Sequence, residues 1–183
     1  MTLTVLRHRD RVATLWANGG GITYEALRSP AGDGPFDWRI SFAEVSTEGP
    51  FSSYPGINRT LVIVDGSGMT LDMDGRLVLV PPHTPVHFAG EVPVVGLLPH
   101  GPVSDCNVMV RRGCCTAEVT ILRGTDIEVQ PAEGATTIVA VLSGQWQLPG
   151  EAEPLGVRDC VVITNRPQLV GHGTLVRVVI AST

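Results

Sequence analysis

Short apolar runs separated by breaks recur along the whole chain. Runs rich in Val, Ile, Leu and Thr occupy 60–64, 69–73, 76–80, 92–98, 103–110, 116–122, 136–142, 160–164 and 174–180. Spacing near ten residues, with turn residues between the runs, predicts an all-β sandwich or barrel. Asp74-Gly75, two residues between apolar runs, is a hairpin signal. The stretch 36–45 alternates, which predicts a half-buried strand. Alternation puts Trp38, Ile40 and Phe42 on one face and Asp37, Arg39, Ser41 and Ala43 on the other. No segment of ten or more residues carries a helical period; 9–15 is expected to form a turn or two.

The pattern also repeats. Residues 59–68 and 136–144 are both apolar strands closing on small residues, and in each half a hairpin strand and another apolar run follow before a proline-containing loop. The order strand, glycine turn, strand, strand, proline loop, strand is that of a cupin-like β-barrel. Two copies of roughly 75 residues, within the range of compact domains, make a double β-barrel, a bicupin. The expected boundary divides 1–113, which holds the dense motifs, from a degenerate second barrel at 114–183.

Composition narrows the class. The chain has 183 residues, 43% hydrophobic and 17% charged, which is outside the range of disordered sequences. No apolar run approaches the length of a membrane-spanning helix, and the N-terminus shows no signal-peptide pattern, so a cytoplasmic location is expected. The net charge of -5 argues against nucleic acid or an anionic membrane as partner. Every basic residue is Arg, so lysine chemistry is excluded and any anion site must be built from Arg. Cys106, Cys114, Cys115 and Cys160 show no C-x-x-C spacing and are expected to be buried thiols.

Residues 16–59 are the densest in candidate chemistry. Gly19-Gly20-Gly21 permits close backbone approach, either as an anion cradle or as a sharp turn feeding a strand. It lacks the pattern of a phosphate loop. Arg39 and Ser41, on the polar face of their strand, need partners if buried: a ligand carboxylate or an internal Asp or Glu. The loop 49–59 carries Phe51, Ser52, Tyr54 and Arg59 around a Pro55-Gly56 turn, the composition of a small-ligand pocket mouth. Further on, Asp105 and Asn107 share one strand face, placed to bond a ligand or to hold Arg39 or Arg59.

Read in order, W-x-N-G-G-G-x-T-x-E from Trp16, W-R-x-S-x-A-x-V from Trp38 and G-x-F-S-x-x-P-G-x-x-R from Gly49 resemble the HutD/Ves family. Phe88-Ala89-Gly90-Glu91 and 101–113 fit it as well. Relatives often carry Phe where this chain has Tyr54. The resemblance implies a bicupin fold and an association with histidine utilisation, as a regulator that binds a small pathway acid. It implies no established catalytic activity.

Metal-binding cupins use H-x-H, a Glu and a distant His, and no H-x-H occurs here. His83, His87 and Glu91 supply ligand types, but three prolines keep 81–85 out of a helix, and surface loop histidines are the simpler reading. Glu44 and Glu91 stand near apolar sequence, where a carboxyl pKa can rise. No G-x-S-x-G is present. The reading is therefore a non-enzymatic protein binding a small carboxylate such as urocanate or formylglutamate, with no metal and no cofactor. The alternative is a metal-assisted cupin enzyme acting on a small organic acid. Arg39 and Arg59 are expected to hold the carboxylate. Asn18, Ser41, Ser52, Asp105 and Asn107 are the hydrogen-bonding candidates; Trp16, Trp38 and Phe51 are the apolar walls, and Gly20 is the close-approach position. An exposed edge strand is a ready pairing site, so a homodimer is also an expectation.

Overall fold

A computed structural model describes residues 3–183. It is almost entirely β-structure. The strands are β1 (Thr4–Leu6), β2 (Ala13–Leu15), β3 (Gly21–Ser29), β4 (Trp38–Val45), β5 (Gly49–Pro50), β6 (Ile57–Asp65), β7 (Met69–Met73), β8 (Arg76–Val80), β9 (Val86–Ala89), β10 (Val94–Leu97), β11 (Val103–Arg111), β12 (Cys115–Glu128), β13 (Ala135–Gln147), β14 (Cys160–Ile163) and β15 (Gln168–Ser182). Where a turn or two was expected at 9–15, a 3-10 turn covers His8–Asp10 and β2 takes Ala13–Leu15.

The chain divides into two units. One is Val12–Cys115; the other joins the residues up to Arg11 to Thr116–Thr183. Each is built of open sheets with a cupin-like arrangement.

In Val12–Cys115 a six-stranded sheet, β2-β3-β4-β11-β6-β9, accompanies a four-stranded sheet, β5-β10-β7-β8. Leu61 and Ile63 of the first pack with Met69, Leu71 and Val80 of the second, all fully buried. Burial of each such side chain is worth about 1.5–3 kcal/mol. The β7–β8 hairpin closes through Asp74 and Gly75, both at positive φ, with Met73 opposite Arg76. That two-residue turn matches the twist of the flanking strands.

Strand β4 departs from expectation. Ile40 and Phe42 are buried on one face, and Ser41 and Ala43 are buried on the other at 3% and 5% exposure. Both faces of β4 are buried over residues 40–43, while its in-sheet neighbours β3 and β11 satisfy its backbone on either edge.

The second unit holds the sheet β1-β14-β13-β15-β12 over a core that includes Val139, Val141, Trp146, Val161 and Leu175. β1 pairs with β14, Leu6 opposite Cys160, which places the N-terminal strand in this unit. The glycine turn expected at 143–144 is absent: β13 runs through it, paired with β15, just past a register shift between Val141 and Ser143. Gly144 faces Gly173, where a Cβ on Gly144 would lie 2.0 Å from the His172 carbonyl oxygen. Two glycines let the backbones touch there, so the strands continue where the sequence suggested an end.

Candidate functional site

The polar face of the six-stranded sheet lines a cavity of about 440 Å³ within Val12–Cys115. Three rows cross the strands here, and part of each lines the cavity. Thr23, Ala43, Asp105 and Ile63 form one row, Glu25, Ser41, Asn107 and Leu61 the next, and Arg39, Met109, Arg59 and Phe88 the third. Each row follows from strand alternation, since residues two apart share a face. Arg39 and Arg59 flank Met109 from either side, so their Cα atoms stand about 10 Å apart across two strand spacings.

Arg59 is the most buried cation of the site, at 6% exposure. Its Nε and Nη2 both donate to Asn107 Oδ1, at 3.3 and 2.9 Å, and its Nη1 donates to the Ser52 carbonyl at 3.2 Å. Asn107 Nδ2 donates in turn to Asp105 Oδ1 at 2.9 Å. The guanidinium also lies over Phe88, Phe51 and Tyr54, with centroids 5.0, 5.2 and 5.6 Å away, a cation–π cage. Its hydrogen-bond partners are thus a carboxamide and a carbonyl, with no carboxylate among them. Burial pushes its pKa down, Asp105 and Tyr54 pull it back up, and Arg39 adds to the lowering. An arginine stays charged under any such shift of ordinary size. Of its five N–H groups, one on each Nη remains uncommitted to any described residue.

Arg39 is different. Its Nε lies 2.8 Å from Glu25 Oε2, an ion pair that meets its charge with an internal carboxylate although the Nε–H makes no hydrogen bond. Arg28 approaches the same Glu25 oxygen at 3.8 Å. Ser41 is 3% exposed, and its hydroxyl has no partner among the described residues.

The glycine run resolves as the turn. Gly19 takes positive φ, its N–H donating to the Trp16 carbonyl, and the Gly20 N–H donates to Asn18 Oδ1. A Cβ on Gly21 would meet the Glu44 carbonyl oxygen at 2.4 Å and the Trp16 ring at 3.1 Å. These amides are used in holding Trp16 and Asn18 at the cavity, not in cradling an anion. Trp16 Nε1 donates to Thr23 Oγ1 at 2.8 Å. The loop after β5 is pinned by Phe51 N–H to the Val94 carbonyl and Tyr54 N–H to the Gly90 carbonyl, both 2.8 Å, so the cage around Arg59 is preformed.

Trp16, Asn18, Arg39, Ser41, Phe51, Ser52, Arg59, Asp105 and Asn107 all line the cavity. Trp38 and Gly20 do not. Trp38 stands on the opposite face of β4 from Arg39, as alternation demands, so it is no wall of this cavity; Gly20 lies behind Asn18, against Thr47. Thr14, Thr23, Tyr54 and Met109 line the cavity although they were not among the candidates. The alternation Asp105, Asn107, Met109 carried the signal for Met109. Thr14 and Thr23 depended on the β2–β3 pairing, which has no local mark.

Other expectations resolve as follows. His83 Nε2 meets the Val64 carbonyl at 3.1 Å, His87 Nδ1 meets Thr60 Oγ1 at 2.8 Å, and Glu91 pairs with Arg112. No group of three His, Cys, Asp or Glu among the described residues is placed to hold a metal ion. The Glu91 carboxyl is pushed down by its Arg112 partner, opposite to the rise that an acid–base role needs. Glu44 does not line the cavity. All four cysteines are free thiols, and Cys114 is exposed where a buried one was expected, because it falls in the turn before β12.

The HutD family model matches residues 8–176. Protein Ves of Citrobacter koseri is 34% identical over 142 residues, which cover 76% of this chain and 73% of that protein. Among solved structures, HutD from Pseudomonas fluorescens SBW25 is 28% identical with a TM-score of 0.83, each chain covered in full. A conserved protein of unknown function from Pseudomonas aeruginosa PAO1 is 27% identical with a TM-score of 0.85, again over the whole of both chains.

Proposed function

The chain belongs to the HutD family, and from that premise we propose that it is a non-enzymatic binding protein whose cavity takes a small carboxylate. One observation carries the reading: Arg59 is a buried guanidinium whose hydrogen-bond partners are neutral, with an N–H on each Nη that meets no acceptor among the described residues. Burying an uncompensated cation is unfavourable, and a bidentate carboxylate offsets it. The preformed aromatic cage fixes the guanidinium plane, so little ordering remains when the ligand arrives.

In this reading Arg59 grips the carboxylate, and Ser41, Asn18 and Asn107 orient the rest of the ligand. The HutD structure from Pseudomonas fluorescens is of a formate condition, and formate is the smallest carboxylate. The family relation extends the proposal: the ligand is an acid of histidine breakdown, urocanate or formylglutamate, and occupancy of the cavity regulates histidine utilisation in the cytoplasm.

A thermal-shift screen tests this against histidine, urocanate, formiminoglutamate, formylglutamate, glutamate and formate, with and without EDTA. A ligand at 100 times its Kd adds about 2.7 kcal/mol to stability. The expected result is a rise in Tm with one acid, unchanged by EDTA. No rise with any acid at millimolar concentration overturns the proposal.

A further inference from the structure

Behind the guanidinium of Arg59 stands a carboxylate, with an amide between them. Asn107 Oδ1 accepts from Arg59 Nε and Nη2, and Asn107 Nδ2 donates to Asp105 Oδ1 at 2.9 Å. Asp105 and Asn107 are two apart on β11, so their side chains share the cavity face, and both are buried, at 1% and 6% exposure. The amide has one sense in this chain. Turned over, its Nδ2 would face the Arg59 donors and its Oδ1 would face the Asp105 acceptor. Glu25 meets Arg39 directly, at 2.8 Å. Asp105 answers Arg59 across the amide: it opposes the fall in the Arg59 pKa that burial causes, while an N–H on each Nη stays uncommitted to any described residue.

Resting on the carboxylate reading above, we propose that Asp105 is a positioning counter-charge that limits how tightly the cavity holds an acid, acting through Asn107 and Arg59 without touching the ligand. In the ligand-free site, Asp105 offsets part of the cost of burying the cation and holds the amide that orients it. In the bound site, two negative charges stand on either side of one guanidinium and repel each other. At an effective dielectric of about 20, like charges separated by the length of an amide and a guanidinium weaken binding about tenfold or more. Arg59 thus attracts acids as a class, and Asp105 sets the concentration at which they leave. A site tuned in this way empties when its ligand becomes scarce, as a regulatory site must.

Calorimetry and thermal unfolding of the native chain and of Asp105→Asn test this, with formate and urocanate as the probes. The new amide can accept the same bond from Asn107, so the variant removes the charge and keeps the chain of contacts. The expected result is a ligand-free Tm lower by about 2–4 °C, together with binding of both probes about tenfold tighter. A residue that only supported the fold would lower stability and affinity together. A residue that touched the body of the ligand would change urocanate and spare formate. Affinity unchanged or reduced in the variant, or a gain confined to one probe, overturns the counter-charge and leaves the carboxylate reading intact. If the native chain binds neither probe, the carboxylate reading falls and takes this one with it. Should Asp105→Asn fail to fold unaided, refolding in saturating formate decides: recovery is expected, because the ligand then supplies the missing negative charge, and failure to recover overturns the proposal.

Discussion

Two arginines of this chain do opposite things: Arg59 is buried, and Arg7 is half-buried with its side chain 12% exposed. Arg7, in the unit with Thr116–Thr183, donates to Asp159 Oδ2 at 2.9 Å, to the Pro154 carbonyl at 2.6 Å and to the Glu153 carbonyl at 3.1 Å. Asp159 also accepts the backbone N–H of His8 at 2.7 Å and of Gly156 at 2.9 Å. The charge is met by a charge, and the cluster fastens residues 7–8 to the 154–159 loop. Arg59 is instead held by a carboxamide, a carbonyl and three rings, which orient the cation without neutralising it. A carboxylate partner makes a buried arginine a structural tie; neutral partners leave its charge for a ligand.

The largest effect that tests this contrast is Asp159→Ala. It leaves Arg7 with only the longer Glu151 contact at 3.6 Å and orphans two backbone N–H groups, so the chain should lose about 3 kcal/mol of stability in urea unfolding. Carboxylate binding by the remaining folded fraction should not change. A loss under about 1 kcal/mol would deny that Asp159 is a tie.

Arg59→Met should show the reverse. Losing two charge-assisted bonds weakens binding of a carboxylate by about 100-fold in calorimetry. Stability should change little, because removal of a buried cation is offset by the loss of the donors to buried Asn107 Oδ1 and of the positive charge near Asp105. A large drop in Tm would mean that Arg59 is structural after all.

The two regions also separate by pH. Burial pushes the Cys160 thiol up to about 11, with Arg11 opposing through its Nη2, 3.3 Å from Sγ. A raised folded-state pKa means that the unfolded chain loses this proton first. The contribution is fully present below the unfolded value near 8.5, falls by about 1.4 kcal/mol per pH unit above it, and is gone once pH passes 11. Stability measured from pH 8 to 11 should therefore decline, and Cys160→Ala should flatten that decline.

The smallest expected effect is Arg39→Gln. Glu25 already neutralises Arg39, so ligand affinity should fall only about threefold, well short of the Arg59 variant. Equal losses at both positions would erase the distinction between paired and unpaired arginines within the cavity itself.

Much of the fold was legible because strand signals are local. The runs 69–73 and 76–80 coincide with β7 and β8, and Asp74-Gly75 makes their turn. Alternation in 36–45 correctly put Arg39 and Ser41 on one face and Trp38 on the other. The same alternation already argued against listing Trp38 beside Arg39 as a wall of one pocket. The strands β13 and β15 ran longer than their apolar runs, since Gly144 and Gly173 let the paired backbones approach where the local pattern reads as a break.

What the amino-acid sequence determined by itself was the class of structure and the means available to it. Short runs with period two and frequent turns form sheets, and a chain with Arg as its only strong base builds any anion site from guanidinium groups. Partnership was decided only in the tertiary structure. Glu25 is fourteen positions from Arg39, Asn107 is 48 from Arg59, and Asp159 is 152 from Arg7. Which cation receives a carboxylate, and which is left for a ligand, depends on the register of strands far apart in the chain. That register comes from the packing of both faces of a sheet at once, and no local pattern encodes it.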